Sequence, residues 1–365
     1  MKHILSSKTP HHIRFYISDY GFGHASRQIA LMRALSAKSN ITISVRCKTA
    51  AGFIRDSCPF AQITEMQNDV GTVMYANTAE VDKEKTRKQF DSWMNTWDEW
   101  IAEETAFCRE NKVDLIISDI TPQAFLVSHA LHIPGVAISN FTWELIFKNL
   151  FPESPYIEKL HEAYNSADLC CLLPLCEADV PFREVIETPL LSREITLDKE
   201  SLRKRMGISD TDVLVYVGSG LSFNAVPECI PKLLENGFSV LISGSSKLCH
   251  PHLYQIPPED TETQNYMAMC DLIITKPGYS TVAEALSAQV PMIIFRRGGF
   301  AEDEFIINPL LENRVAACLT WDEIAGGSWI SHIKDFLSLK ENYQRINNRF
   351  IDNGIETIIS QLMME

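Results

Sequence analysis

The stretch Cys270–Phe305, CDLIITKPGYSTVAEALSAQVPMIIFRRGGFAEDEF, reads as strand, tight turn, helix, strand and acidic loop. The apolar run DLIIT ends at Lys276, and Pro277–Gly278 supply the turn. Ser280 and Thr281 open a helix, after which VPMIIF returns the chain to a second buried strand. A strand, a crossover helix and a second strand are the repeating unit of a parallel α/β sheet. Free N–H groups and hydroxyls at such a helix start suit phosphate oxygens, and a diphosphate is a natural occupant. Glu284 stands about one helical turn beyond Ser280, near enough to accept hydrogens from two ribose hydroxyls on that diphosphate. Taken alone, the stretch favours a plainer reading, in which Ser280 and Thr281 are N-caps and Glu284 is a surface or capping-box acid.

The same alternation of short β-rich runs and helical periods fills the chain, so the fold class is α/β. At about 150 residues per domain, 365 residues point to two domains. Strands are predicted at 13–18, 41–46, 60–64, 113–118, 136–139 and 168–173 in the first half. In the second half they fall at 213–217, 238–243, 271–275, 291–295 and 315–319. Between them, Leu173–Glu194 (LPLCEADVPFREVIETPLLSRE) holds three prolines and no sustained period, which marks a linker. The expected division is residues 1–185, 186–340 and 341–365, the last a closing helix pair that returns to the first domain. From Lys83 to Glu110, Phe90, Trp93, Trp97, Trp100 and Ile101 recur at three- and four-residue steps on one long helix. A packed core face is the favoured reading, and an aromatic wall of an acceptor pocket is the alternative.

Composition removes several function classes. Apolar residues make up 45% and charged residues 22%, the balance of an ordinary globular protein rather than a disordered or collagen-like chain. The net charge of −14 repels phosphate backbones and anionic lipid headgroups, so neither nucleic acid nor stable membrane insertion is expected. The ten cysteines form no CxxC pair and read as reduced core thiols. No signal-peptide pattern or bilayer-length apolar run is present, which makes the cytoplasm the expected location.

The first strand runs into SDYGFGHASRQIALMRAL, where Gly21 and Gly23 permit a tight turn before a helix opens near Ala25. Ser26 replaces the third glycine of a dinucleotide fingerprint, and the second strand ends in Arg46, Cys47 and Lys48 rather than a ribose-binding acid. A dehydrogenase is disfavoured accordingly, and no cofactor is expected. His24 stands at the carboxyl end of a strand, where open α/β sheets bind ligands, and is read as functional rather than structural. The strand VDLIISD delivers Asp119 to the same edge, either to orient the His24 ring or to cap the next helix. Asp19 is a second candidate base, or else a turn carboxylate satisfied by backbone N–H groups.

The order GFGHAS, a strand ending in Asp119, and KPGYSTVAEAL before VPMIIF resembles the GT-B glycosyltransferases, including the peptidoglycan N-acetylglucosaminyltransferase and the plant UDP-glycosyltransferases. A longer resemblance is to the glycosyltransferase-like amino-terminal region of plant L-arabinokinases and its stand-alone bacterial relatives. It rests on YGFGHASR, NDVGTV, LIISD, NFTWELIF, PFREVIETPLL, GYSTVAEAL and the FRR…FAEDEF segment. The kinase activity of arabinokinases is not carried over, because it belongs to a separate domain whose glycine- and serine-rich phosphate loop is absent from these residues.

The resemblance implies two Rossmann-like domains facing a cleft, with His24 on the acceptor side, Asp119 its supporting acid, Ser280 and Thr281 on phosphate and Glu284 on ribose. Lys276 departs from the plant enzymes' histidine, and Asp303–Glu304 stand where those enzymes often have Asp–Gln against the donor sugar. Gly21, Gly23, Gly218, Ser219 and Gly278 complete the expected nucleotide-sugar contacts, with Lys276, Arg296 or Arg297 offsetting the diphosphate charge. A UDP-sugar is the expected donor, and the reaction is expected to invert the anomeric carbon without a metal. His129 and His132, the Cys249–His250–His252 cluster and the DTD at Asp210–Asp212 are assigned no metal. Competing readings are a sugar-nucleotide 2-epimerase or hydrolase-type enzyme, and a nucleotide-sugar binding module that has lost catalysis.

Overall fold

Runs rich in Ile, Val and Leu form two parallel sheets in the computed structural model, which describes residues 11–38, 40–75, 80–218, 228–244 and 248–363. The first sheet contains β1 (His12–Ile17), β2 (Thr42–Arg46), β3 (Gln62–Thr64), β4 (Leu115–Asp119), β5 (Gly135–Ser139), β6 (Leu169–Leu172) and β7 (Val185–Glu187). The second contains β8 (Leu214–Gly218), β9 (Ser239–Ile242), β10 (Leu253–Gln255), β11 (Leu272–Thr275), β12 (Met292–Phe295) and β13 (Ala316–Leu319). Their orders are β3-β2-β1-β4-β5-β6-β7 and β10-β9-β8-β11-β12-β13. The strand order therefore reverses beside β1 in one sheet and beside β8 in the other. Those are the points where a crevice opens beyond the carboxyl ends of the strands.

Helices cover both faces, so β1, β4, β5, β6, β8, β9, β11 and β12 are buried along their whole length. That is why they read as continuous apolar runs. Exceptions on β1 are His12 and Arg14; Arg14 is fully buried, and its Nε and Nη2 donate to Glu104 at 3.1 and 2.9 Å. Arg46 and the Tyr16 hydroxyl also donate to Glu104, both at 2.7 Å, so this interior acid is satisfied by two cations and a phenol.

Four expectations change. The long aromatic helix is two helices, Lys83–Asn95 and Trp97–Glu110, broken at Thr96, whose hydroxyl turns back to the Trp93 carbonyl at 2.7 Å. The linker contains β7, which pairs in parallel with β6, so the first sheet runs past residue 185. The closing helix pair is instead a set of 3₁₀ turns, Leu339–Arg345 and Asn348–Phe350, followed by one α-helix, Ile355–Leu362. Of the ten cysteines seven are buried, while Cys176 and Cys318 are half-buried and Cys249 is exposed; all are free thiols.

Helix packing brings the halves together in two places. Helix Gly23–Lys38, which follows β1, packs against helix Tyr279–Ser287, which follows β11. Helix 355–362 also lies along helix 23–38, with Lys38 and Glu356 paired at its edge. The aromatic residues form a core beside this junction, where Phe90 stacks on Phe147 with centroids 4.0 Å apart and Tyr20 stacks on Phe300 at 5.5 Å. Phe90 has no exposed surface. Phe90→Ala is expected to cost about 3–5 kcal/mol of unfolding free energy, read by urea denaturation; a loss under about 1 kcal/mol would mean that this face is not core.

Candidate active site at the junction of the two sheets

The loop after β1 turns at Gly21, whose φ of 83° suits a residue without Cβ. Asp19 lies within it. Its Oδ1 accepts from the N–H groups of Lys48 and Thr49 at 2.8 and 2.7 Å, and its Oδ2 from that of Asn68 at 2.7 Å. Three backbone donors leave it the contacts of a turn carboxylate.

Helix 23–38 begins two residues later, and its first turn carries His24. The strand register places Ile17 of β1 beside Asp119 of β4, which brings the end of β4 under this turn. His24 Nδ1 lies 2.7 Å from Asp119 Oδ1. The same carboxylate accepts from Arg27 Nε at 2.6 Å, Arg27 Nη2 at 2.5 Å and Gln28 Nε2 at 2.7 Å. Burial pushes the Asp119 carboxyl upward, but the guanidinium of Arg27 and then His24 pull it down to about 2. Asp119 is thus an ionised, acceptor-only group. Because Asp119 can only accept, His24 Nδ1 is the donor of this bond; in the neutral ring Nε2 then carries the lone pair, and that atom has no hydrogen-bond partner among the described residues. The alternative role of Asp119 as a helix cap does not hold, because helix Gln123–Leu131 starts at Pro122 without a side-chain cap.

Asp69, from NDVGTV, is the second buried carboxyl beneath the site. It accepts from the Ser18 hydroxyl at 3.0 Å, the Asp19 N–H at 2.8 Å and Trp143 Nε1 at 3.0 Å. Burial, with the charge of Asp19 adding, raises it to about 6. It joins the ends of β1 and β5 under the His24 loop. Beyond Asn68, a pocket of about 540 Å³ is lined by Arg46, Gln67, Gln89, Glu99 and the edges of Trp93 and Trp100. Both tryptophans are only 5% exposed, so their helices are chiefly core and offer a pocket just at this rim.

Across the junction, helix 279–287 has Gly278 as its N-cap, so neither Ser280 nor Thr281 caps it. The Ser280 hydroxyl donates to the Gly23 carbonyl at 2.6 Å. Glu284 Oε1 accepts from Ser26 Oγ at 2.9 Å and Arg193 Nε at 2.8 Å. Both residues are buried, which corrects the plain reading of Glu284 as a surface acid: they serve as contacts between the halves. Lys276, Gly278 and Thr281 keep partial exposure. Burial lowers the Lys276 ammonium to about 8, helped by neighbouring Arg297 and opposed by Glu302 and Asp303.

The acidic loop is also paired internally. Asp303 Oδ1 accepts from Arg297 Nε at 2.9 Å, and Glu304 from exposed Arg296 at 2.8 Å. Each of these arginines thus has its own carboxylate, which a diphosphate would have to displace. Gly218 closes β8 beside Thr275, with Tyr216 filling the space where a Cβ would stand. Ser219 lies outside the described residues.

Sequence reasoning missed Arg27, Gln28, Asn140, Arg193 and Glu302. Arg27 was within reach, three residues from His24 on one helix face. Asn140 follows β5 as Asp119 ends β4, and its amide joins Arg27 Nη1 at 2.7 Å to Glu302 at 2.9 Å.

Two Rossmann-like halves with parallel sheets that meet at their crevices are the architecture of the GT-B glycosyltransferases. Residues 11–337 match the Glycosyl transferase family 1 profile, and the chain belongs to that family. It is 27% identical over 349 residues to L-arabinokinase from Arabidopsis thaliana, covering 90% of this chain and 32% of that protein. The chain therefore spans about a third of that relative's length. Among solved structures it is similar to CalG4, the calicheamicin glycosyltransferase, with a TM-score of 0.65 and 14% identity over 97% of this chain and 99% of that one. Phytolacca americana UGT2, complexed with UDP-2-fluoroglucose and pterostilbene, gives 0.63 and 12% over 96% and 99%.

Asp119 is held below its ordinary 3.8, so its stabilising contribution is present above about pH 4 and is lost as pH falls toward 2. Asp119→Asn is expected to cost about 3–5 kcal/mol at pH 7 by leaving Arg27 buried without its counter-charge. Urea denaturation at stepped pH checks this: the gap to wild type narrows below about pH 4, and a gap that widens there contradicts the ionised pair.

Proposed function

We propose that this glycosyltransferase moves a hexosyl or pentosyl group from a nucleotide diphosphate sugar to an acceptor hydroxyl, with inversion and without a metal ion. The observation that carries the reading is the His24–Asp119 pair at 2.7 Å, set across the junction from the start of helix 279–287. His24 Nε2 takes the acceptor's proton as its oxygen attacks the anomeric carbon, a contribution of about 10²–10⁴-fold. The bond from that carbon to the diphosphate breaks with its electron pair on the leaving oxygen. Asp119 stabilises the imidazolium. The N–H groups after Gly278, the hydroxyls of Ser280 and Thr281, and Lys276 receive the growing diphosphate charge. UDP is the proposed nucleotide, in keeping with the UDP-sugar held by the similar plant structure. The cytoplasm is the proposed location; among the described residues no helix is long and apolar enough to cross a membrane.

Donor binding in this scheme requires Ser280 and Glu284 to exchange partners, since Gly23, Ser26 and Arg193 now hold them. A nucleotide-sugar binding module that has lost catalysis is the second reading; it needs the same exchange of partners but no transfer follows.

A thermal-shift panel of UDP, GDP, dTDP, CDP and ADP with their sugars separates the two, because a ligand of the folded state raises apparent stability. One nucleotide diphosphate is expected to raise the melting temperature. With that donor and an accepting alcohol, His24→Ala is expected to lower kcat by about 10²–10⁴-fold while nucleotide affinity stays within about threefold. Binding without turnover across acceptors selects the second reading, and the absence of any nucleotide shift overturns both.

A further inference from the structure

We infer that Arg27 is a positioning residue that locks the His24 tautomer and makes that lock depend on closure of the two halves. The inference deepens the proposed transfer reaction and rests on it for the role of His24. Arg27 follows His24 by three residues on helix 23–38 and is 1% exposed. Its Nε and Nη2 grip the two oxygens of Asp119 at 2.6 and 2.5 Å, the bidentate geometry that fixes a carboxylate plane. Gln28 takes a further position on Oδ2 at 2.7 Å. Only one direction on Oδ1 then faces His24, and the Nδ1–H fills it.

The distances decide between two hydrogen-bonding schemes. Arg27 Nη2 also lies 3.2 Å from His24 Nδ1, and as a pure donor it could serve Nδ1 if the ring carried its proton on Nε2. That tautomer would set a lone pair against the ionised Asp119 oxygen at 2.7 Å. The shorter contact therefore fixes Nδ1–H, with both donors converging on Oδ1. A carboxylate free to turn about its Cβ–Cγ bond would lose this selectivity, and a histidine protonated on the wrong nitrogen cannot act as the base.

Arg27 also touches the second half. Its guanidinium carbon lies 4.8 Å from the ring centroid of Tyr279, the residue that opens the phosphate-side helix. The Tyr279 hydroxyl accepts from the Leu191 N–H at 3.2 Å, which anchors the ring. Arg27 Nη1 donates to Asn140 Oδ1 at 2.7 Å, and Asn140 Nδ2 donates to Glu302 Oε1 at 2.9 Å. Parting the halves withdraws the Tyr279 face and the Glu302 carboxylate together. The guanidinium then keeps Asp119 and Asn140 but loses the ring that covers its face, while Asn140 loses the carboxylate that orients its amide, so the dyad is fully aligned only when the junction is shut.

The test needs no substrate. In the full chain labelled with ¹⁵N-histidine, long-range ¹H–¹⁵N spectra at neutral pH report which ring nitrogen of His24 bears the proton. Wild type is expected to show the Nδ1–H form alone, and Arg27→Met a mixture. Arg27→Lys, which keeps the charge without the fork, is expected to fall between them, and it supplies the reading if the methionine variant does not fold. Tyr279→Leu, which leaves every atom of the dyad in place, is expected to shift the population toward the mixture. A single Nδ1–H form in the foldable Arg27 variants overturns the positioning role; a wild-type spectrum in Tyr279→Leu overturns the dependence on closure. Once a donor and an acceptor are in hand, the Arg27 variants are expected to lose about 10²-fold in kcat with donor KM within about threefold. Tautomer changes in a chain that transfers no sugar would sink the proposed function and leave the role of Arg27 standing.

Discussion

The carboxylate of Asp119 is the point on which the arrangement rests. It lies at the end of β4, where the strand order of the first sheet reverses, and gathers the side chains of His24, Arg27 and Gln28 from the start of helix 23–38, which follows β1. A charge this deep persists only with full compensation, and the pull of Arg27 and His24 outweighs burial. Its ionisation sets the histidine tautomer, and the tautomer sets which ring atom is free to accept a proton.

The second constraint is the polar junction. Ser280 and Glu284 bond directly to the backbone and side chains around His24, so the elements expected to hold a donor are satisfied by the other half of the chain. Such hydrogen bonds are worth little net in exchange for equivalent ones to phosphate or ribose, yet costly to break without replacement. Arg33 and Glu262, paired at 2.7 Å across the same face, add a more exposed clasp.

How much of this was legible in the sequence follows from burial. Strands covered on both faces, such as DLIIT and LIISD, stand out as apolar runs. The short β7 and β10 are partly exposed and carry no such run, so they could not be seen. The break at Thr96 was hidden because Trp97 and Trp100 continue the buried face across it. His24 and Asp119 were legible because a glycine turn after β1 carries one and the end of β4 carries the other to the same edge of the sheet. The partners of Glu284 were not: Ser26 lies 258 residues away, and Arg193 falls in a stretch that reads as linker. Pairings of that range are set by how two finished sheets dock, which no local pattern records.

In the proposed reaction a diphosphate enters the junction at the start of helix 279–287, opposite His24. A crystal structure of the chain saturated with its best-binding nucleotide diphosphate tests it most directly. Phosphate oxygens are expected on the Gly278–Thr281 backbone and the Ser280 hydroxyl, with the Ser280–Gly23 bond broken. Nucleotide bound elsewhere, with the Ser280–Gly23 and Glu284–Ser26 bonds intact, would contradict it.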